Sequence, residues 1–346
     1  MSAMFPEYAE RIEFLSEPRS YPAATSRVDV AETHMSWVFL TDEYAYKLKK
    51  PIQLDGHDLA FLEERESQCR NEVALNRRLS RGVYLGMVAL GVAPDGKLRL
   101  GGGRVVDWLV WMRRLPEALM LDRLIASGSV EGVRLAACIE MLSRFYASAA
   151  PEAMTPSEYR QHLAARVEAN LDALRLAQGG LPEQEVERVA AAQLAFVEAH
   201  GALFDERIRQ SRIIEGHGDL RPEHVCLESP PQVIDCLEFS RVLRVIDPAE
   251  ELGFLGMECA RLGAPGLDAA IFRTYRQVVG DDPDARLVHF HKSLTACVRA
   301  KLAVWHVTDP GPKGPAEWRR RASEYLRLAG QHVDYAGMRS SIDPLA

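Results

Sequence analysis

The run His217-Gly218-Asp219-Leu220-Arg221-Pro222-Glu223-His224, followed eleven residues after His224 by Asp235 in VIDCLEF, carries the strongest signal in this chain. A phosphoryl-transfer site needs one carboxylate to accept a hydroxyl proton and a second to hold magnesium, usually with an amide ligand five residues after the first. Asp219 and Asp235 fit the two carboxylates. The competing reading makes HGD a polar turn and Asp235 a strand-end cap, and two motifs in the right order at the right spacing weigh against it. Val225-Cys226-Leu227 and Val233-Ile234-Asp235 flank a Pro-Pro turn and read as a hairpin.

Toward the N-terminus, the first third is strand-rich. SRVDVA (26–31), WVFL (37–40) and the alternating YAYKLKK (44–50) predict a small antiparallel sheet, with Thr41-Asp42-Glu43 as a turn. Residues 60–79 carry charges of both signs with periodic leucines, the pattern of an exposed amphipathic helix. VYLGMVALGVAPDGKLRL predicts a strand pair around Asp95-Gly96, and VVDWLVWMRRLP a last strand ending at Pro116. Beyond Pro116 the apolar spacing turns helical over Val130–Ala149, Ser157–Ala177 and Pro182–Gln210, and again from Pro248 to about Gly330.

At 346 residues the chain exceeds a comfortable single core, so two lobes are expected, residues 1–116 and 117–346. An apolar fraction of 47% and a charged fraction of 26% are those of an ordinary globular protein. The net charge of −7 argues against nucleic acid as a main partner. Six cysteines lie scattered without a CxxC pair or a zinc-like histidine spacing, and read as reduced thiols. With no apolar leader at the start and no apolar run of membrane-spanning length, a cytoplasmic location is expected, without membrane contact.

HGDL with the later IDxxEF resembles the aminoglycoside phosphotransferase and choline kinase superfamily. THMSWVFLTDEYAYKLKKP, ESQCRNEVALNRRL and IDCLEFSRVLRVIDPAEELGFL are similar to a bacterial branch of it often fused to a C-terminal P-loop ATPase. The resemblance covers about residues 25 to 330. No GxxxxGK[ST] occurs in this chain, so a link to a separate P-loop ATPase is what it implies. It further implies an α+β, bilobal protein-kinase-like fold, with a small antiparallel β N-lobe carrying one helix and a larger, mainly α-helical C-lobe. The implied activity is ATP-dependent phosphoryl transfer to a hydroxyl of a small molecule, with Asp219 as base and Asp235 as the magnesium ligand.

His224 departs from the family pattern, which has asparagine five residues after the base. A neutral imidazole coordinates metal but suits hard magnesium less well than an amide oxygen, which favours manganese or zinc. Arg221 stands where protein kinases carry a cation near the transferred phosphate; the alternative is a surface salt bridge. Glu238 is a candidate metal or substrate contact, or a simple strand-end carboxylate. Asp247 reads as an N-cap before Pro248 that braces the catalytic loop.

A kinase needs a cation on its third strand, paired with a glutamate on the following helix. Lys47, Lys49 and Glu72 are the candidates. Period-two alternation puts Ala45, Lys47 and Lys49 on one face. Ala45-Tyr46-Lys47 echoes the small residue two before the nucleotide lysine, which favours Lys47; KLKKP resembles the LRRPP stretch of related phosphotransferases, which keeps Lys49. No GxGxxG occurs, so the NH groups of residues 33–36 and the Ser36 hydroxyl are candidates to cover the phosphates. Met112 and Arg114 fall at the hinge, whose backbone would pair with adenine. Arg299 and Lys301, in an otherwise apolar helix, read as contacts for an acidic substrate or as internal salt-bridge partners. The leading alternative to a working kinase is a nucleotide-binding or partner-binding module that has lost transfer, motivated by His224. Nucleotidyl or protein phosphotransfer on the same scaffold ranks third.

Overall fold

The computed structural model describes residues 7–54, 57–176, 180–308 and 314–338. In chain order the elements are α1 (Tyr8–Ser16), β1 (Asp29–Glu32), β2 (Ser36–Leu40), β3 (Tyr44–Lys49), the short strands β4 (Gln53–Leu54) and β5 (His57–Asp58), and α2 (Leu62–Asn76). They continue with β6 (Tyr84–Val92), β7 (Leu98–Leu100), β8 (Arg104–Arg113), α3 (Leu121–Ala126), α4 (Gly132–Ser148), α5 (Pro156–Leu176), α6 (Glu183–Ala199) and α7 (Gly201–Arg209). The last third has β9 (Ile214–Glu215), β10 (Val225–Cys226), β11 (Gln232–Val233), β12 (Val245–Ile246), α8 (Pro248–Arg261), α9 (Gly266–Val279), α10 (Ala285–Thr308) and α11 (Gly314–Tyr335).

The chain forms two compact units: Met1–Phe145 with His217–Arg244, and Tyr146–Gly216 with Val245–Ala346. The first holds a six-stranded antiparallel sheet in the order β1-β2-β3-β8-β6-β7. Because side chains alternate along a strand, β3 sends Tyr46 and Leu48 to one face and Ala45, Lys47 and Lys49 to the other. Tyr46 and Leu48 pack with Phe39, Leu109 and Leu15 of α1. Ala45 packs with Val110, Met112 and with Cys69 and Val73 of α2. The sheet is thus covered on both sides, and the two lysines of β3 point toward α2.

That arrangement corrects the expectation of an exposed α2. Arg65, Gln68, Glu72 and Asn76 recur at three-to-four spacing and are all buried, so the helix turns a polar stripe inward. Arg65 is held there by Asp107 of β8, whose fully buried carboxylate accepts from Arg65 Nε at 2.8 Å and from Arg11 of α1 at 2.7 Å. The expected hairpin forms, but its second strand ends at Val233 instead of Asp235, since Asp235 adopts a left-handed φ of 62° that a ladder cannot accommodate.

The second unit is helical around one core that includes Phe196, Phe204 and Phe290, with the rings of Phe196 and Phe290 stacked at 5.4 Å. The segment expected as one helix over Pro182–Gln210 is two, broken at His200. Ala177, where the preceding helix was expected to end, lies outside the described residues. Asp247 is the N-cap of α8, accepting from Ala249 N at 2.8 Å, with Pro248 in the first turn. It also receives Arg207 through two hydrogen bonds, of 2.7 and 2.9 Å, while the same guanidinium makes two of 2.7 Å to Asp281. All six cysteines are buried thiols. Among the described residues no helix is long and apolar enough to cross a membrane.

One guanidinium facing two buried carboxylates sets a testable cost. Removing the cation alone leaves both carboxylates uncompensated, so Arg207→Met is expected to lose about 3–5 kcal/mol of unfolding free energy. Urea denaturation of the two proteins measures it, and a loss below about 1 kcal/mol would show that the pair of carboxylates tolerates burial without the arginine.

Candidate functional site

Every residue of the site described next belongs to the first unit. The loop beginning at His217 turns at Gly218, whose φ is +87° and where an added Cβ would come within 3.1 Å of Arg244 Cγ and 3.2 Å of Leu237 Cβ. Only glycine combines that backbone with that closeness. His217 is fully buried and wires the loop to the next segment: Nε2 lies 2.8 Å from the carbonyl of Ile234, and Nδ1 accepts the Asp219 N–H at 3.2 Å. Those partners fix the tautomer with the proton on Nε2.

Asp219, Arg221 and His224 close on one another. Arg221 donates from Nε to Asp219 Oδ2 at 3.0 Å and approaches His224 Nε2 from its terminal nitrogen at 3.0 Å. His224 Nδ1 lies 2.8 Å from the carbonyl of Asp219, so the ring donates there and carries its lone pair on Nε2. Nε2 in turn stands 3.4 Å from Asp235 Oδ2. Burial first, and then Arg221, hold the His224 pKa below its ordinary value against the pull of Asp235 and Asp219, which keeps the imidazole neutral at neutral pH.

Asp235 bridges this loop to the lysines. Its Oδ1 accepts from Lys47 Nζ at 2.5 Å, and Lys47 also donates to Glu72 Oε1 at 2.9 Å. Lys49 is paired with the other oxygen of Glu72 and with Glu238. Glu72 is therefore shared by both lysines. The exposures differ in a way that matters: the side chain of Lys49 is 1% exposed and that of Glu72 0%, whereas Lys47 is 12% and Asp235 40% exposed. Burial alone would raise the pKa of Glu72 and Asp235, but the lysines outweigh it and hold both carboxyls below the usual range. Burial would likewise lower the lysines, and the surrounding carboxylates reverse that in each case, Asp235 and Glu72 at Lys47, Glu238 and Glu72 at Lys49.

Two ammonium groups against three carboxylates leave one negative charge, located at the partly exposed Asp235. Its Oδ2 and His224 Nε2, which Arg221 also approaches at 3.0 Å, are two lone-pair donors facing one another without a proton between them. Ligands about 2.0–2.2 Å from a shared ion lie roughly 3 to 3.5 Å apart, so this donor pair fits a small divalent cation. Among the described residues no group of three or more His, Cys, Asp and Glu is arranged around a metal position. A cation there would draw its remaining ligands from phosphate and water.

The other predicted site residues are placed as follows. Ser36 pairs in register with Lys49 on the same sheet face, fully buried, and its hydroxyl has no hydrogen-bond partner among the described residues. Met112 is buried in the apolar cluster of α2 and β6. The Arg113 and Arg114 amides are already bonded to the carbonyls of Val83 and Glu43, and the Arg114 side chain reaches the Thr41 carbonyl at 2.7 Å and Asp29 at 3.2 Å. Arg299 and Lys301 lie on α10 in the second unit, over the rings of Tyr325 and Trp305. Sequence reasoning quoted His217 without giving it a role and missed two buried members of the site, Tyr84 and Asn76. The last was detectable as a polar residue one helical turn after Glu72.

These features define a class. The chain has the α+β, kinase-like fold of the aminoglycoside phosphotransferases. It is similar to the GDP complex of wild-type aminoglycoside 2′-phosphotransferase-IIIa, with a TM-score of 0.52 and 12% identity over 94% of this chain and 99% of the other. A choline/ethanolamine kinase family protein from Mesorhizobium loti gives 0.51 and 14% over 95% and 99%, and LicA in complex with AMP gives 0.51 and 15% over 94% and 100%. At the level of sequence, the chain is 31% identical over 319 residues to uncharacterized proteins of Mycobacterium tuberculosis and Mycobacterium bovis. That match covers 91% of this chain and 61% of each relative, so the chain spans less than two thirds of their length. No protein-family model matches the chain.

The lowered pKa of Glu72 makes its contribution pH-dependent with a definite sign. A carboxyl depressed in the folded state stabilises above its unfolded pKa, about 4.3, and loses that stability as pH falls. The stability difference between wild type and Glu72→Gln is expected to be level from pH 7 to about 5 and to shrink below about 4. Denaturation curves across that range check it; a difference that grows on acidification would contradict the pairing.

Proposed function

We propose that this chain is a metal-dependent phosphotransferase that moves the γ-phosphoryl group of ATP to a hydroxyl of a small molecule. The observation that carries the reading is the meeting of Lys47, Glu72, Asp235 and His224 beside Asp219, a cation–carboxylate–carboxylate set of the kind phosphoryl transfer requires. Asp219 is the group that accepts the acceptor's proton as its oxygen bonds to phosphorus and the bond to the ADP leaving group breaks. Lys47, the more accessible lysine, is the phosphate contact. Lys49, enclosed by Glu72 and Glu238, holds Glu72 in place. Arg221 is proposed to face the transferred phosphate, and Ser36 with the turn before it to cover the others. Asp235 and His224 would hold magnesium or manganese. When bound, the ion would neutralise phosphate charge.

On this reading residues 1–116 serve the nucleotide, with the hinge stretch around Met112 and Arg114 nearest the adenine edge, and residues 117–346 carry the catalytic loop, the metal ligands and the acceptor site. Arg299 and Lys301 are proposed contacts for an acidic acceptor, with Glu238 a further candidate. A P-loop ATPase is proposed as a functional partner on the sequence resemblance alone.

Asp219→Ala is expected to lower transfer by roughly 10²–10⁴-fold while ATP affinity stays within a few-fold, because the base acts on the acceptor and not on the nucleotide. Paired measurements of ATP turnover and calorimetric ATP binding test this, with GTP as a parallel donor. Retained turnover would overturn the assignment.

A second reading, a nucleotide-binding module without transfer, is favoured by one contact: Arg221 already satisfies the Nε2 lone pair of His224. Metal titrations separate the two. With His224 as a ligand, turnover is higher with manganese than magnesium, and His224→Asn shifts the preference toward magnesium. Titrations of the two proteins that superimpose after scaling would place His224 outside the metal shell.

A further inference from the structure

The segment carrying Asp235 is held in a left-handed conformation by residues that no motif marks. Asp235 has φ +62°, an uncommon region for residues with a Cβ, although aspartate enters it more readily than most. The four successive N–H groups around it each have an acceptor. Ile234 donates to the carbonyl of His224 at 2.9 Å and Leu237 to the carbonyl of His217 at 3.1 Å. The middle two go to side chains: Asp235 N–H to Tyr84 Oη at 3.1 Å, and Cys236 N–H to Asn76 Oδ1 at 2.8 Å.

Both side chains are themselves fixed. Asn76 is 1% exposed, and its Nδ2 donates to the Glu72 carbonyl at 2.8 Å, which leaves Oδ1 as the acceptor. Tyr84 is 3% exposed, begins β6 and packs in the cluster of Ala45, Val73 and Met112. Asn76 therefore ties the turn of α2 that bears Glu72 to the peptide that follows Asp235, and Tyr84 ties β6 to the peptide that precedes it.

We propose that Asn76 and Tyr84 are positioning residues that set the carboxylate of Asp235 in register with the Lys47–Glu72 pair, so that metal and nucleotide phosphate are bound together. The inference rests on the proposed role of Asp235 as a metal ligand. Without either side chain the backbone at Asp235 relaxes toward negative φ, and the carboxylate swings off the line between Lys47 and His224.

Tyr84→Phe is the clean probe, since it removes one oxygen and keeps the ring. Two readouts are taken: binding of a non-hydrolysable ATP analogue as magnesium is titrated, and amide hydrogen exchange in the metal-free protein. The magnesium concentration for half-maximal binding is expected to rise about fivefold, the equivalent of one lost hydrogen bond, with metal-free analogue affinity within about twofold. Exchange should quicken at residues 235–236 and not across the sheet. Asn76→Ala, which removes the acceptor for Cys236, should raise the magnesium midpoint in the same direction. A Tyr84→Phe titration that superimposes on wild type, with unchanged exchange at 235–236, overturns the inference. If wild-type binding proves indifferent to magnesium and to Asp235→Asn, the metal role of Asp235 fails instead, and the exchange data alone decide whether Tyr84 fixes the loop.

Discussion

A single carboxylate divided between two ammonium groups organises the first unit. Glu72 has no solvent exposure, and each of its oxygens is taken by a different lysine of β3. A buried ion left alone costs several kcal/mol, so neither Lys49 nor Glu72 is tolerable without the other, and α2 must lie where its third turn meets the strand. The single positive charge that remains calls for one more carboxylate, and the segment after β11 brings two. They are Asp235 and Glu238, three residues apart. What would otherwise be a loose loop after β11 is thereby drawn onto the sheet.

The same logic recurs in the second unit with the signs exchanged. There one arginine is divided between Asp247 and Asp281, and Tyr275 donates to Asp281 at 2.6 Å to complete it. Asp247 uses the pairing to cap α8. In both units a long-range ionic contact is also a local structural device, at the strand–helix meeting in one and at a helix start in the other.

Much of this was legible in the sequence because it obeys short-range periodicity. Alternation placed Lys47 and Lys49 on one face, and the spacing of Asp219, His224 and Asp235 indicated residues that the fold brings together. The reading stopped where packing reverses a local signal. The charged pattern of α2 looked solvent-facing, yet Arg65 and Glu72 are buried because Asp107 and two lysines meet them across 42, 25 and 23 residues. Lys47 and Lys49 were weighed as rivals, whereas Glu72 has two oxygens and binds both. Tyr84 and Asn76 escaped notice because a neutral side chain bonding to a backbone amide leaves no compositional trace, and the split at His200 is marked only by Gly201, a lone glycine that a helical pattern tolerates.

The first unit is discontinuous, and this bears on how the chain acquires its structure. Lys47 and Lys49 are separated from Asp235 and Glu238 by 188 and 189 residues, with the segment Tyr146–Gly216 of the second unit made in between. A nascent chain that has emerged only as far as α7 possesses the sheet and α2, but sets two lysines against one glutamate. The sheet then carries an uncompensated positive charge at its centre, and water must remain there to solvate it. Closure waits for the returning segment, at the entropic cost of a long loop and with the slow folding that distant contacts bring. Compensating the lysines and completing the site are the same event, so a chain cut short before this segment is unable to hide its lysines.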